Sequence, residues 1–243
     1  MLKATQTLMQ RGLRSLSEIF LQVDCAVCDR ATPTVFCIDC QRQLEASYFA
    51  AEGWQLKAHN DIKFGALGAY QGTLKQAILT LKYQNRLDVA SILGAALAKR
   101  WAKQVSTECS DPLVIPIPLH SNRLEQRGYN QAALIGRAFC QASGLPMLAH
   151  GLIRQQDTLP QHQLGLSSRQ ANLKTAFKVG KDLQKRQQKS RLQNGPRKRT
   201  APHILLVDDI YTTGATAQSA AQTLIAKGFP VIGILALARA IND

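Results

Sequence analysis

The chain has 243 residues, 45% of them apolar, and carries 30 basic against 16 acidic side chains for a net charge of +14. That length suits one full core plus a small module, and the apolar share excludes disorder throughout. A positive field of this size attracts nucleic acid, anionic lipid or phosphorylated metabolites, and is also what a plain solvated basic surface carries.

The charge is unevenly placed. Residues 1–60 hold six basic and six acidic side chains, whereas residues 61–243 hold 24 basic and ten acidic. No apolar run reaches the length of a membrane-crossing helix, so no membrane span is expected. Over residues 2–21 the apolar side chains recur at helical spacing, which predicts a short amphipathic helix. Arg11, Arg14 and Glu18 interrupt it, so no secretory h-region forms. Cys109 and Cys140 are scattered and read as buried or free thiols. With no disulfide framework in view, a cytoplasmic location is expected.

The other four cysteines sit together. Cys25 and Cys28, then Cys37 and Cys40, form two Cys-x-x-Cys pairs. Each pair can put two thiolates on one ion, and together they complete a tetrahedral structural site with no open position. Zn²⁺ suits four thiolates; an iron–sulfur cluster is the alternative. Residues 41–72 read as irregular with short strands, one of them at 64–70.

Residues 73–103 read as a single helix with Leu74, Ala77, Ile78 and Leu81 on its apolar side. Lys75, Lys82 and Arg86 recur at spacings of seven and four, which places them on one stripe of such a helix. The stripe is either a solvated face or a binding face. From residue 113 the pattern changes. A buried strand at 113–117 leads through a loop to a helix at about 130–143. A second strand at 203–207 leads through a turn to a helix ending near Lys227, capped by Gly228. A further strand covers 231–237. Strands alternating with helices give an α/β fold with a mostly parallel sheet flanked by helices. Residues 181–200 carry eight basic side chains and one acidic. They read as a poorly ordered basic loop.

The most informative stretch runs Val207, Asp208, Asp209, Ile210, Tyr211, Thr212, Thr213, Gly214, Ala215, Thr216. A strand delivers it to the carboxyl edge of the sheet, where open α/β sheets bind ligands. Hydroxyls, backbone N–H groups and a helix N-terminus suit a phosphate, and a glycine lets the backbone approach it. Two adjacent carboxylates suit vicinal ribose hydroxyls and Mg²⁺.

This stretch resembles the phosphoribosyl pyrophosphate motif of type I phosphoribosyltransferases. The resemblance implies that Asp208 and Asp209 hold the ribose hydroxyls and that Thr212, Thr213, Gly214, Ala215 and Thr216 hold the 5′-phosphate. The run from Pro118 through His120, Arg123 and Arg127 to Asn130 and Gln131 is similar to a signature of the ComF family. In that likeness the loop faces the diphosphate, with Arg123 and Arg127 as its partners and His120 as a donor or a structural residue. Arg154, Thr158, Gln161 and Arg169 lie in a stretch similar to one in ComF proteins and to the hood of glutamine phosphoribosyl amidotransferases, which implies a closing loop. The insert at 181–200 departs from that pattern.

The resemblance implies a type I phosphoribosyltransferase fold over 61–243, behind an N-terminal helix and four-cysteine module in 1–60. It implies phosphoribosyl pyrophosphate with Mg²⁺ as ligand, a role in natural transformation, and proteins of the competence machinery as partners. Single-stranded DNA is the expected polyanion, with Lys75, Lys82 and Arg86 as its contacts. A nucleotide-salvage transferase and a non-catalytic sensor are the alternatives. No catalytic base and no acceptor pocket is legible in the sequence.

Overall fold

The computed structural model describes residues 23–50, 57–59, 62–103, 111–155, 176–194 and 201–240. The amphipathic stretch at 2–21, Cys109 and most of the hood lie outside them.

Two short strands, β1 (Val23–Asp24) and β2 (Ala31–Thr32), pair antiparallel and carry the first two cysteines on the turn between them. Helix α1 (Ile38–Ala46) starts within the second cysteine pair, where Cys37 in extended backbone stands at its N-cap. Residues 41–46 are therefore helical rather than irregular, because Leu44 and Cys40 anchor that turn in the core.

The main sheet has five strands in the order β3 (Lys57–His59), β4 (Ile62–Ala69), β9 (Val231–Arg239), β8 (Ile204–Tyr211), β5 (Leu113–Pro116). Only the β3–β4 pair is antiparallel. The mostly parallel sheet expected from the alternating pattern is thus present. Strands β4 and β9 are buried over most of their length, as parallel strands with both faces covered must be, and β8 is buried over its first four residues and opens toward its carboxyl end.

Helices α2 (Gly72–Tyr83), α3 (Asp88–Ala102) and α5 (Gln131–Ser143) cover one face. Helix α7 (Ala215–Ala226) and the hairpin of β6 (Leu152–Arg154) with β7 (Phe177–Val179) cover the other. The cysteine knuckle belongs to the first face. Cys25, Ala26, Phe36, Cys40 and Leu44 share one apolar cluster with Leu74, Ile78 and Leu81 of α2. Helices α3 and α5 meet at close range, since a Cβ on Gly94 would stand 2.6 Å from the Ala138 Cβ.

Three elements differ from the sequence reading. The helix expected at 73–103 is two helices, broken at Asn85, whose φ of +56° is left-handed. Apolar periodicity persists on both sides of the break and hides it. Strand β8 runs through Asp208, Asp209 and Ile210 to Tyr211, because its neighbour β9 is long enough to pair with Asp208, Ile210 and Tyr211. The Asp pair therefore sits on the strand end and not in a turn.

The third difference concerns the basic insert, which is a helix, α6 (Lys181–Asn194), rather than a loop; residues 195–200 lie outside the described set. Its Gln, Lys, Arg and Leu are good helix formers, and Asp182 stands in its first turn. Leu183 is fully buried and ties the first turn to the core. High charge with few apolar residues marks either disorder or a solvated helix, and here propensity and one anchor decide for the helix.

Candidate phosphoribosyl site and cysteine knuckle

The candidate ligand site is built at the carboxyl end of β8. Asp208 Oδ1 accepts the Asp209 backbone N–H at 2.9 Å. Asp209 Oδ2 meets the Lys82 ammonium at 2.8 Å, and both side chains are about 15% exposed. Burial, and next the negative charge of Asp209, push the Asp208 carboxyl up to about 7, while Lys82 and Arg154 pull it back. The side chain keeps a narrow window to solvent, so the enclosure comes from the protein mass around it and not from complete loss of exposed area. Two carboxylates thus share one edge of the site, with Lys82 paired to Asp209 and Arg154 acting on Asp208, an arrangement ready for donors or a divalent ion.

The turn after β8 ends at Gly214, which has a φ of +77° and is the N-cap of α7. A Cβ there would overlap the Tyr211 hydroxyl, so position and neighbour both require glycine. Thr213 Oγ1 accepts the Ala215 N–H at 3.4 Å, and the Gln218 N–H donates to the Gly214 carbonyl at 2.8 Å. Thr212 and Thr213 are exposed, while Ala215 and Thr216 are partly buried on the first turn of α7. Tyr211 lies beneath the turn, its ring 3.8 Å from that of Phe64. The sequence reading gave Tyr211 no role of its own; the signal was an aromatic one position before a Thr-Thr-Gly turn, and its partner Phe64 lies on β4, two strands away.

The other expected site residues divide. Arg154, at the end of β6, lies near enough for its charge to act on Asp208, although 54 positions separate them in sequence. Its guanidinium also covers the Phe177 ring at 5.6 Å. Thr158, Gln161 and Arg169 lie outside the described residues. His120 is the N-cap of α4 (Ser121–Arg127), where its Nδ1 accepts the Asn122 N–H at 3.4 Å. Asn130 fixes the return of this arm by donating to the Ile117 carbonyl at 3.1 Å and accepting the Ala132 N–H at 3.1 Å. Arg123 and Arg127 sit on α4 and line a cleft with Lys82 and Tyr83.

The structure takes Arg86 off the expected basic stripe, while Lys75 and Lys82 remain seven positions apart on α2. Lys75 lies 5.7 Å from the Tyr70 ring centroid, and Lys82 is held by Asp209. Arg86 stands in the link between α2 and α3, pairs with Asp88 at 2.8 Å, and donates to the Asp24 carbonyl at 2.6 Å. The helix break at Asn85 is what removes Arg86 from the stripe.

In the knuckle the ligand atoms of Cys25, Cys28, Cys37 and Cys40 all lie within 4.8 Å of one another. The Cys28 and Cys37 sulfurs are 3.7 Å apart, close to the edge of roughly 3.8 Å that four bonds of about 2.3 Å give around a tetrahedral ion. The Cys37 N–H donates to Cys25 Sγ at 3.3 Å. Arg30 donates to Cys28 Sγ at 3.3 Å and to Cys37 Sγ at 3.4 Å, and pairs with Asp39 at 3.0 Å. Hydrogen bonds from Arg30 pull the Cys28 thiol down to about 6, while burial pushes the Cys40 thiol up. Four thiols at this spacing could hold a metal ion, and Arg30 is an outer partner that the cysteine spacing alone did not reveal. The knuckle is tied to α2 by Thr80, whose hydroxyl donates to the Ala26 carbonyl at 2.8 Å.

A parallel sheet with helices on both faces, an Asp-Asp strand end feeding a Thr-rich turn, and a four-cysteine knuckle define a phosphoribosyltransferase-type α/β protein with an N-terminal knuckle. No family model matches the chain. It is 26% identical over 219 residues to DNA utilization protein YhgH of Shigella flexneri, covering 88% of this chain and 89% of that one. It is 31% identical over 180 residues to competence protein F of Haemophilus influenzae, covering 73% of each. The chain therefore belongs to the ComF family. Among solved structures, adenine phosphoribosyltransferase from Leishmania donovani matches at 13% identity and a TM-score of 0.37, over 81% of this chain and 66% of that one. An allosteric regulatory enzyme of purine biosynthesis matches at 18% identity and a TM-score of 0.32, and the chain spans about a quarter of its length, 26%.

Proposed function

We propose that this ComF-family chain binds phosphoribosyl pyrophosphate with Mg²⁺ and acts in the cytoplasm on single-stranded DNA taken up from outside the cell. The observation that carries the ligand is the Asp208–Asp209 pair at the end of β8, followed by a turn that closes at left-handed Gly214 on the N-terminus of α7. Acceptors suited to two vicinal hydroxyls and donors suited to a phosphate follow one another along the chain there. The loop after β5 and Arg154 supply cationic and polar groups for the diphosphate. The DNA reading draws on the named relatives and on the basic excess beyond residue 60. The knuckle holds Zn²⁺ as a structural ion, with no position left for chemistry.

Calorimetric titration of the full chain with phosphoribosyl pyrophosphate and Mg²⁺, alone and with a short single-stranded oligonucleotide, tests this. Binding that shifts when the strand is present supports the reading. Binding indifferent to DNA would instead favour a metabolic transferase, and no binding would remove the ligand from the Asp-Asp site.

A further inference from the structure

Beside the Asp-Asp site lies a cleft that shares Lys82 with it. Its volume is about 590 Å³, and Lys82, Tyr83, Asn85, Arg123, Arg127 and Tyr129 stand on its walls. Among the described residues no carboxylate lines it. Tyr83 is the last residue of α2 and is 71% exposed. The guanidinium of Arg127 stands 5.3 Å from the centroid of that ring. The platform is held firmly from behind. Leu81 is fully buried, the Tyr129 hydroxyl donates to the Leu81 carbonyl, and Asn85 turns the chain away with a φ of +56°.

An exposed tyrosine facing an arginine presents the two planar groups on which nucleobases stack. Lys82, Arg123 and Arg127 line the same cleft and suit the phosphates on either side of a stacked base. We infer that this cleft holds one nucleotide of a single-stranded nucleic acid, its base stacked on Tyr83 and its flanking phosphates on Arg123 and Arg127. A pocket for a free nucleotide would enclose most of its ligand. A ring that keeps 71% of its area in solvent suits a strand that continues past it. A duplex does not fit, because its bases are already stacked on one another. The inference rests on the reading that this protein handles single strands, and it moves Arg123 and Arg127 from the diphosphate to the strand. Lys82 lines the cleft and also pairs with Asp209, so it is the one side chain common to both sites.

The experiment is fluorescence anisotropy on the full chain at fixed salt, with a labelled oligothymidylate and an abasic oligomer of the same length. Tyr83→Ala should weaken oligothymidylate binding about tenfold, Tyr83→Phe should keep it, and Tyr83→Ala should leave abasic binding unchanged. Arg127→Ala should weaken both oligomers, because it removes a phosphate contact as well as a stacking partner. Because Tyr83 is exposed, its variants should melt like the wild type and bind phosphoribosyl pyrophosphate normally. Wild-type affinity for oligothymidylate in Tyr83→Ala would overturn the inference while leaving the DNA reading in place. A wild-type protein that binds neither oligomer would overturn both. Displacement of the strand by thymidine monophosphate at comparable concentration would make the cleft a free-nucleotide pocket and overturn the strand assignment.

Discussion

The knuckle and the Asp-Asp site pose the same electrostatic problem in two settings. Each gathers like groups at close range, four thiols within 4.8 Å in one and two adjacent carboxylates in the other. Each is met by protein cations, Arg30 in the knuckle and Lys82 with Arg154 at the strand end. The settings differ. Cys25 and Cys40 belong to the apolar cluster that also holds α2 and α3, so the knuckle is part of the core. The carboxylates lie at the sheet edge, where β8 and β9 already pair without help from any ligand. A cation in the knuckle therefore supports the fold, and a ligand at the strand end leaves the fold as it is.

Removing the knuckle ion should give the largest effect. Structural four-thiolate sites contribute folding free energy directly, on the order of 10 kcal/mol for an isolated finger. Here the rest of the core remains, and a loss of several kcal/mol is expected. Cys40→Ser, or strong chelation of the wild type, should release Zn²⁺ and lower the melting temperature, read by a zinc-sensitive dye and thermal melting. A melt unmoved by chelation would place the knuckle outside the cooperative core and erase the contrast.

At the other site the fold should survive and binding should not. Asp208→Ala with Asp209→Ala removes two charged acceptors, each worth roughly 1.5–3 kcal/mol in hydrogen bonds to a ligand. Affinity for phosphoribosyl pyrophosphate should fall at least about a hundredfold by calorimetry, with native circular dichroism retained. Retained affinity would sink the assignment of this edge.

Lys82→Met asks how far the carboxylates depend on their cation. Breaking a buried pair by deleting one partner costs about 3–5 kcal/mol, less where solvent reaches it. With both groups about 15% exposed, a loss of about 2 kcal/mol at pH 8 is expected. It should shrink as the pH falls and Asp208 takes up its proton, which relieves the repulsion left when the cation is gone. A double cycle with Asp209→Asn should recover most of it, measured by urea unfolding.

How much of this was legible from the residues depends on the range of the interaction that decides each part. The cysteine ligands, the Thr-rich turn and the strand–helix alternation are short-range patterns, and the structure places them where the pattern did, whereas the Asp pair moves from the turn onto the end of β8, which runs on beside β9. The knuckle's place in the main core was not legible, because it depends on Thr80 and Leu81 of α2 meeting residues some fifty positions earlier. The partners of Lys82 and Arg86 were missed for the same reason. Helical spacing aligned them on one stripe, but a single left-handed residue, Asn85, sent Arg86 to the knuckle and left Lys82 to Asp209. Helix α6 was missed because charge without apolar content marks both disorder and a solvated helix, and one buried leucine separates the two.

The smallest expected effect is also the most direct test of the difference between the two sites. Burial, then the charge of Asp209, raise Asp208 to about 7 from an ordinary 3.8. A carboxyl raised on folding binds its proton more tightly in the folded chain. Its contribution to stability is therefore fully present below about pH 4 and is lost as the pH rises toward 7. Taken at face value the shift is worth about 4 kcal/mol, since each pH unit is about 1.36 kcal/mol. Solvent at the edge of the site screens part of that, so about 1.5 kcal/mol is expected above pH 8. Asp208→Asn keeps the shape of the protonated acid without the ionisation. It should stabilise the ligand-free protein at pH 8, make no difference at pH 4, and weaken phosphoribosyl pyrophosphate binding at both. Thermal melting across that range, always as the difference between variant and wild type, removes the general acid destabilisation of a chain with a net charge of +14. Gain in stability with loss of ligand is the signature of an edge whose charge serves binding; equal stability at pH 4 and pH 8 would show that Asp208 sits there at no cost to the fold.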